Sequence, residues 1–445
     1  MDQIDYRKLF YDALPNMISL LEIPSVYDAS SANDQMPYGI NVCKAFAYMK
    51  ELAEKDGFKV SEYDGHALSI SWGTGKERID IASHLDVVVA DEEGFHIRIE
   101  GNRLIGRGTV DMKVPMFLSY LALKLLRERY PEISKEIRIV LGGDEERTMN
   151  DMRYYLSRAG QPDFAFTPDG YFPMIISEKG AIMWTMDGDY EGRVLSLHGG
   201  SQCNVIPDHA VCELAGDDKY EDLKTYITDH RMDASVAIRN GSIILETRGK
   251  AAHASMPSLG HSAINDLLVI LAHVIEDRTC RELYSAFYDS YGKGIDSYAG
   301  EKPNECLSLS IGILTIEKGK LSAQVDCRFP FGMKAEELTE RLQDRIGLHI
   351  ELQYNDPPTH CEQDDSYVAA MLKTYRRITG DNSECIVSGG VSYTKVFGHC
   401  VGFGPVFPGE IPVAHQKNEF IDLDRCVRIL EIYYETIKEL AFLEI

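Results

Sequence analysis

The feature that most limits the fold is an alternation of strand-like and helical segments that stops near residue 170 and resumes near residue 360. Apolar residues at helical spacing over 4–23 and over 40–56 predict two opening helices, the second closed by Gly57 in a C-terminal cap role. Strand-like stretches follow at 58–63 and 66–72, then an isoleucine-rich run at 79–82 that reads as a buried strand. Over 114–129 apolar residues recur on most faces, with Pro115 in the first turn, which predicts a buried helix. A strand at 137–141, a helix at 150–159 and a strand at 164–167 complete the series. Alternation of this kind implies an α/β layer with a largely parallel sheet.

Between these two runs the texture differs. Residues 174–250 are mostly strand candidates separated by turns, with helices near 218–229, 261–276 and 335–346. Helix 364–379, a strand-like 399–403 and helix 423–441 then restore the first pattern. The chain therefore reads as a discontinuous first domain, 1–177 with 361–445, and an inserted α+β domain over 178–360. A length of 445 residues suits two cores better than one.

The formal charge of −24, from 46 basic and 70 acidic residues, argues against partners that are nucleic acids or anionic membrane surfaces. It suits a cationic metal or a substrate with an ammonium group. Ten cysteines without a Cys-x-x-Cys pair read as thiols of a reducing compartment, not as a disulfide frame or zinc ribbon. The first residues, Met-Asp-Gln-Ile-Asp-Tyr-Arg-Lys, lack the apolar core of a signal peptide, and the longest apolar run, 267–275, is far below a bilayer span. A cytoplasmic location is the expectation.

Residues able to carry chemistry collect at the ends of the expected strands. His84 and Asp86 stand just past the run at 79–82, two positions apart, so on extended backbone they share a face. An imidazole beside a carboxylate suggests a metal-bound ring nitrogen whose other N–H is held by the acid. Asp111 follows a Gly106-Arg107-Gly108 turn and precedes the buried helix. Gly142-Gly143-Asp144-Glu145-Glu146 follows the strand at 137–141, and three successive carboxylates there would repel one another without a cation. Neighbouring Glu145 and Glu146 cannot share one direction, so one suits a metal and the other water. Asp169 ends the strand at 164–167, and His415 lies in a loop before the last helix. His84, Asp111, Glu146, Asp169 and His415 together match what two divalent ions sharing one carboxylate require.

These stretches resemble the M20 metallopeptidase family, and most of all its longer PepV-type dipeptidase branch. The resemblance is carried by Ser-His84-Leu-Asp86-Val-Val, Gly-Arg-Gly-Thr-Val-Asp111-Met-Lys, Gly-Gly-Asp-Glu145-Glu146, Phe-Thr-Pro-Asp169-Gly and Ala-His415-Gln-Lys-Asn-Glu. It continues in Asn204-Val-Ile-Pro-Asp, Gly-Lys-Ala-Ala-His253-Ala-Ser-Met-Pro, Asp-Cys-Arg328-Phe-Pro and Gly404-Pro-Val-Phe-Pro-Gly. It implies a two-domain architecture: a di-metal aminopeptidase-like α/β catalytic domain with an inserted α+β lid. It implies that His84 and Asp169 hold one metal, Glu146 and His415 the other, and that Asp111 bridges them. Asp86 would orient His84, and Glu145 would be the general base. His253 would face the oxyanion, with Asn204 and Arg328 on the substrate's terminal carboxylate. The implied activity is hydrolysis of small unblocked dipeptides by a monomer with two divalent ions, zinc by default, manganese or cobalt otherwise.

Each residue also has a plain structural reading. Arg328 could form a strand-end salt bridge, Asn204 a turn, His253 a polar contact with Ser255, and Asp86 a turn cap; His261 and His399 read as structural. The sequence departs from the family pattern at Val114, where glycine is usual, at Val89, where proline is common, in the shortened stretch Asp91-Glu-Glu-Gly-Phe95, and in Ser388-Gly-Gly-Val-Ser-Tyr393. None removes a ligand; all bear on substrate preference. Two other functions stay open at this level: an N-acyl amino acid amidohydrolase using the same site, and a catalytically silent binding protein that keeps the fold.

Overall fold

A computed structural model describes residues 3–298 and 305–444. The chain divides into two compact units, one comprising Met1–Ser177, His360–Ile386 and Val391–Ile445, the other Glu178–Thr359 with Val387–Gly390. Residues 387–390 thus group with the second unit, where the sequence reading had placed them in the first. The backbone N–H of Lys179 donates to the Ser388 carbonyl at 2.8 Å, which ties that short piece to the start of the second unit.

The first unit is built on a mixed sheet. Four strands at its centre run parallel, in the order Glu136–Gly142, Arg78–His84, Phe164–Thr167, Cys400–Gly402. Ala67–Trp72 and then Lys59–Tyr63 extend the sheet in antiparallel pairing. The expected largely parallel sheet is therefore parallel only at its core, because Lys59–Tyr63 and Ala67–Trp72 are joined by a tight turn that permits no parallel crossover.

Strand periodicity sends side chains of one strand into two layers. Ile79 and Ile81 enter the large core with Phe117, Leu121 and Ile139, while Ala82 joins Val140, Met152 and Tyr155 on the opposite face. Asp80 points to that second face as well, fully buried, where Arg138 Nε and Nη2 donate to it at 2.8 and 2.7 Å and Tyr155 Oη at 2.8 Å. Satisfying the buried charge on both oxygens is what permits it there.

Helix Lys113–Arg129 is buried on nearly every face and packs against the terminal helix Leu423–Phe442. Truncating a fully buried ring in it, such as Phe117, is expected to cost about 3–5 kcal/mol. Helix Ser366–Thr379 starts on Asp365, whose carboxylate accepts from Tyr367 and Val368 N–H at 3.0 and 3.2 Å.

The second unit is an eight-stranded antiparallel sheet, in the order Ala234–Arg239, Ser242–Arg248, His209–Ala215, Val194–Gly199, Ser308–Glu317, Lys320–Phe329, Gly180–Asp189, His349–Asp356. Burial alternates along Ser242–Arg248, so one face of the sheet is covered. Helices Tyr220–Asp229, Ala263–Ile270, Arg278–Phe287 and Ala335–Gln343 contribute to that core. The long hairpin Ser308–Glu317 with Lys320–Phe329, and helix Arg278–Phe287, go beyond the elements read from the sequence. Among the described residues no helix is long and apolar enough to cross a membrane. None of the ten cysteines forms a disulfide.

Candidate metal centre

Parallel strands bring their C-terminal ends to one edge of a sheet, and it is there that the first unit's polar residues meet. His84 is the last residue of its strand, Glu145 and Glu146 follow Glu136–Gly142, and Asp169 follows Phe164–Thr167. Asp111 enters from the turn that leads into helix Lys113–Arg129, and its peptide bond to Met112 is cis. His415 reaches the same place from the loop before strand Phe420–Asp422, with a left-handed backbone at φ +62°.

The distances define two groups around one carboxylate. His84 Nε2 lies 3.0 Å from Asp111 Oδ1 and 3.6 Å from Asp169 Oδ2. His415 Nε2 lies 2.9 Å from Asp111 Oδ2 and 3.1 Å from Glu146 Oε2. His84, Glu145 and Asp169 offer ligand atoms all within 4.8 Å of one another, as do Asp111, Glu146 and His415. The Glu145 carboxylate therefore stands beside the His84 group, closer to ligand positions than a purely water-facing base requires.

Asp86 behaves differently from the sequence reading. The nearest acceptor to His84 Nδ1 is the backbone carbonyl of Asp86 at 2.9 Å, with the carboxylate Oδ1 at 3.4 Å. The strand ends at His84, so the chain turns and the Asp86 side chain swings towards the next loop, where its Oδ2 accepts from Glu146 N–H at 3.1 Å. Asp86 thus holds the His84 tautomer through its main chain and the Glu146 backbone through its side chain.

Electrostatics follow from crowding. Burial opposes charging His84, yet the Asp111, Asp169 and Asp86 carboxylates push its pKa well above the ordinary value. Asp111 and Glu146 bonded to His415 raise that imidazole to about 10. Burial, opposed by His84 and reinforced by Asp169, Asp111 and Glu146, pushes Glu145 well above the usual carboxylate range. Burial among acids thus makes the Glu145 carboxylate easier to protonate than an exposed one.

Whether a cation fits can be tested on the polar atoms themselves. His84 Nε2 and Asp111 Oδ1 are buried and have no hydrogen-bond partner, although they face each other. Leaving such atoms unsatisfied costs about 1–3 kcal/mol each, more for charged groups. A metal between imidazole and carboxylate satisfies both, so the residues present fit one.

Several residues the sequence did not single out hold this arrangement. Asp151, fully buried in the first turn of helix Asn150–Ala159, accepts on Oδ2 from Gly143 and Asp144 N–H at 2.7 and 2.8 Å and from Tyr393 Oη at 2.5 Å. It fixes the loop that leads to Glu145. The Tyr393 ring meets the His84 ring edge-on at 6.1 Å. Glu419 holds the turn before Asp111. Tyr393 and Glu419 reach partners far away in sequence, while Asp151 reaches back seven and eight residues to a loop as well as to distant Tyr393.

The departures have definite places. Val114 is fully buried in the first helical turn, its N–H donating to the Gly108 carbonyl at 3.1 Å, so the larger residue is absorbed by the core. Val89 is 78% exposed and, with Asp91, Gly94, Arg107 and Lys417, lines a cavity of about 240 Å³ beside His415.

The other residues of interest lie in the second unit. Strand Ala252–His253 pairs with Val205–Ile206, which brings His253 opposite Val205 and lets Ala254 N–H donate to the Asn204 carbonyl at 2.9 Å. His253 Nδ1 lies 2.7 Å from Ser255 Oγ, and burial with the Arg328 cation lowers its pKa. Arg328 forms a two-pronged pair with Asp326, Nε to Oδ1 and Nη2 to Oδ2, both at 3.0 Å. His261 is paired to Asp266 at 2.7 Å, and in the first unit His399 Nδ1 lies 3.0 Å from the Asp163 carbonyl, both structural contacts.

An α/β unit with imidazoles and carboxylates gathered at its parallel strand ends, in a chain that also carries an antiparallel α+β unit, defines a hydrolase of the di-metal peptidase class. The chain belongs to peptidase family M20/M25/M40, whose model matches residues 81–439. It is 30% identical to a Staphylococcus saprophyticus protein named "Putative dipeptidase", over 96% of this chain and 97% of the relative. It is 28% identical to "Putative dipeptidase YtjP" of Bacillus subtilis, with 97% of each covered. Its fold is similar to that of an M20 family metallo-carboxypeptidase from Sulfolobus solfataricus, at a TM-score of 0.58 and 18% identity, covering 97% of this chain and all of that one.

Proposed function

We propose that this peptidase hydrolyses the peptide bond of small unblocked dipeptides, using two divalent cations shared through Asp111. The observation that carries this reading is the position of the Asp111 carboxylate, one oxygen towards His84 and the other towards His415. His84 and Asp169 would hold one ion, Glu146 and His415 the other. When bound, the ions would polarise the scissile carbonyl and bring the pKa of the attacking water towards neutrality.

The remaining work belongs to the chain. Glu145, within reach of the His84 group, accepts the proton of the attacking water and returns it to the departing amine. Asp86 keeps His84 in the tautomer that leaves Nε2 free, and holds the Glu146 backbone. In the second unit, Arg328 and Asn204 are assigned to the substrate's terminal carboxylate, and His253 to donation towards the developing oxyanion. Asp326 fixes the plane of the Arg328 guanidinium, which lowers the ordering cost of binding an anion on its free edge.

Zinc is the first metal to test, with manganese and cobalt next, since a mixed oxygen and nitrogen set accepts all three. A monomer acting in the cytoplasm is part of the same reading. Relatives named as dipeptidases support dipeptides over N-acyl amino acids as substrates. The test is metal-loaded protein against paired dipeptides with free and acylated amines. Turnover of the free-amine members supports the proposal, and turnover confined to the acylated members replaces it with the amidohydrolase alternative.

A further inference from the structure

Four residues beyond His415, Glu419 is 1% exposed and accepts four hydrogen bonds. Arg107 Nη1 donates to Oε2 at 2.7 Å and Gly108 N–H to the same oxygen at 3.2 Å. Val110 and Asp111 N–H donate to Oε1 at 2.7 and 3.1 Å. One carboxylate therefore holds the whole turn that delivers Asp111. The turn needs such an anchor: Gly108 adopts φ +84°, a left-handed backbone, and a Cβ there would stand 3.2 Å from Lys113 Cδ.

The segment that brings Glu419 also brings His415. Its own backbone is strained at two places without glycine, His415 at φ +62° and Asn418 at φ +60°. It persists because its far end is stitched down: Gly106 N–H donates to the Glu419 carbonyl at 2.9 Å, and Phe420 pairs with Ile105. His415 and Asp111, whose facing atoms lie 2.9 Å apart, are thus set against each other by these backbone pairs and by one buried side chain, that of Glu419.

We infer that Glu419 is a positioning residue: it clamps the Asp111 turn to the His415 segment and so sets the spacing of the shared metal site. The inference rests on the two-cation reading above. Burying an anion here is sustained by four donors, and a carboxylate held by backbone N–H groups is a strong and directional anchor. Glutamine keeps the size but turns one acceptor into a donor, which faces Arg107 and Gly108, or Val110 and Asp111, with the wrong sign.

The experiment is calorimetric titration of metal-stripped protein with Zn²⁺, alongside melting curves with and without the metal, for wild type and Glu419→Gln. Wild type is expected to take two ions per chain. Glu419→Gln is expected to bind at least one of them tenfold or more weakly, and its metal-induced rise in melting temperature is expected to shrink. Equal affinity in both proteins overturns the inference, even where the melting temperature of Glu419→Gln falls, because a purely structural role lowers the metal-free and metal-loaded curves together. Should Glu419→Gln fail to fold, Arg107→Met serves instead. It leaves the three amide bonds in place, and a loss of threefold or more in affinity supports the clamp, while no loss overturns it. A wild-type protein that binds no Zn²⁺, Mn²⁺ or Co²⁺ would instead overturn the metal reading itself.

Discussion

His84 Nε2 and Asp111 Oδ1 stand 3.0 Å apart inside the first unit, and neither atom has a hydrogen-bond partner. With Nδ1 facing the Asp86 carbonyl, Nε2 and the carboxylate oxygen meet as two potential ligands of a cation. Asp111→Ala removes the carboxylate proposed to be shared by the two ions. Metal content, measured by elemental analysis, is expected to fall below two ions per chain, and affinity to fall by more than the roughly 10–100-fold that loss of an outer partner costs. Full occupancy in this variant would rule Asp111 out as a bridge.

Glu145 is the sharpest test of the chemistry, because its carboxylate also lies within reach of the His84 group. Glu145→Gln is expected to keep both ions and to lose at least about 10²-fold in kcat, as removal of a general base does. A variant that loses an ion would make Glu145 a ligand. A variant within tenfold of wild type would remove it as the base.

Asp151 supplies a pH signature separate from the metal ligands. Burial, with the Asp86 charge behind it, raises its pKa from 3.8 to about 7. A raised pKa means the folded state holds the proton more tightly, so the stabilising contribution is full below about pH 4 and is lost as pH climbs through 7. Between those limits wild type is expected to lose stability against Asp151→Asn by up to about 1.4 kcal/mol per pH unit. Urea unfolding of both metal-free proteins from pH 4 to 8 checks the slope. Parallel curves would contradict it.

Arg328 is already paired to Asp326, so the pair tests recognition more than stability. Arg328→Lys keeps the charge and loses the planar fork. For substrates with a free terminal carboxylate, KM is expected to rise roughly tenfold or more, as for a lost charge-assisted hydrogen bond. The corresponding amides are expected to be affected little. An equal change in both would place Arg328 away from the substrate.

Much of the site was readable before the fold, for a physical reason. His84, Glu146 and Asp169 sit at strand ends that local apolar runs reveal, and His415 and Asp111 sit in turns marked by glycine or polar residues. What stayed hidden depends on contacts between distant segments. Glu419 is an acid in a polar loop until the turn at 107–111 folds over it, and Asp151 resembles any acidic first-turn helix residue. The Asp86 side chain was read as His84's partner because extended backbone was assumed past residue 84, whereas the strand stops there. The hairpin at 308–329 lies beyond the elements read from the sequence, although its first strand is buried along its first five residues.

Helix Lys113–Arg129, apolar on nearly every side, is covered by the last helix of the chain, and His415 with Glu419 arrives only shortly before that helix. On the ribosome this order matters. A nascent chain that has emerged as far as residue 400 carries His84, Asp111, Glu146 and Asp169 but lacks the partner strand Cys400–Gly402, the clamp and the cover. Such a chain also lacks the apolar face that helix Leu423–Phe442 lays against helix Lys113–Arg129. The proposed metal centre is therefore completed only by the segment that carries His415 and Glu419.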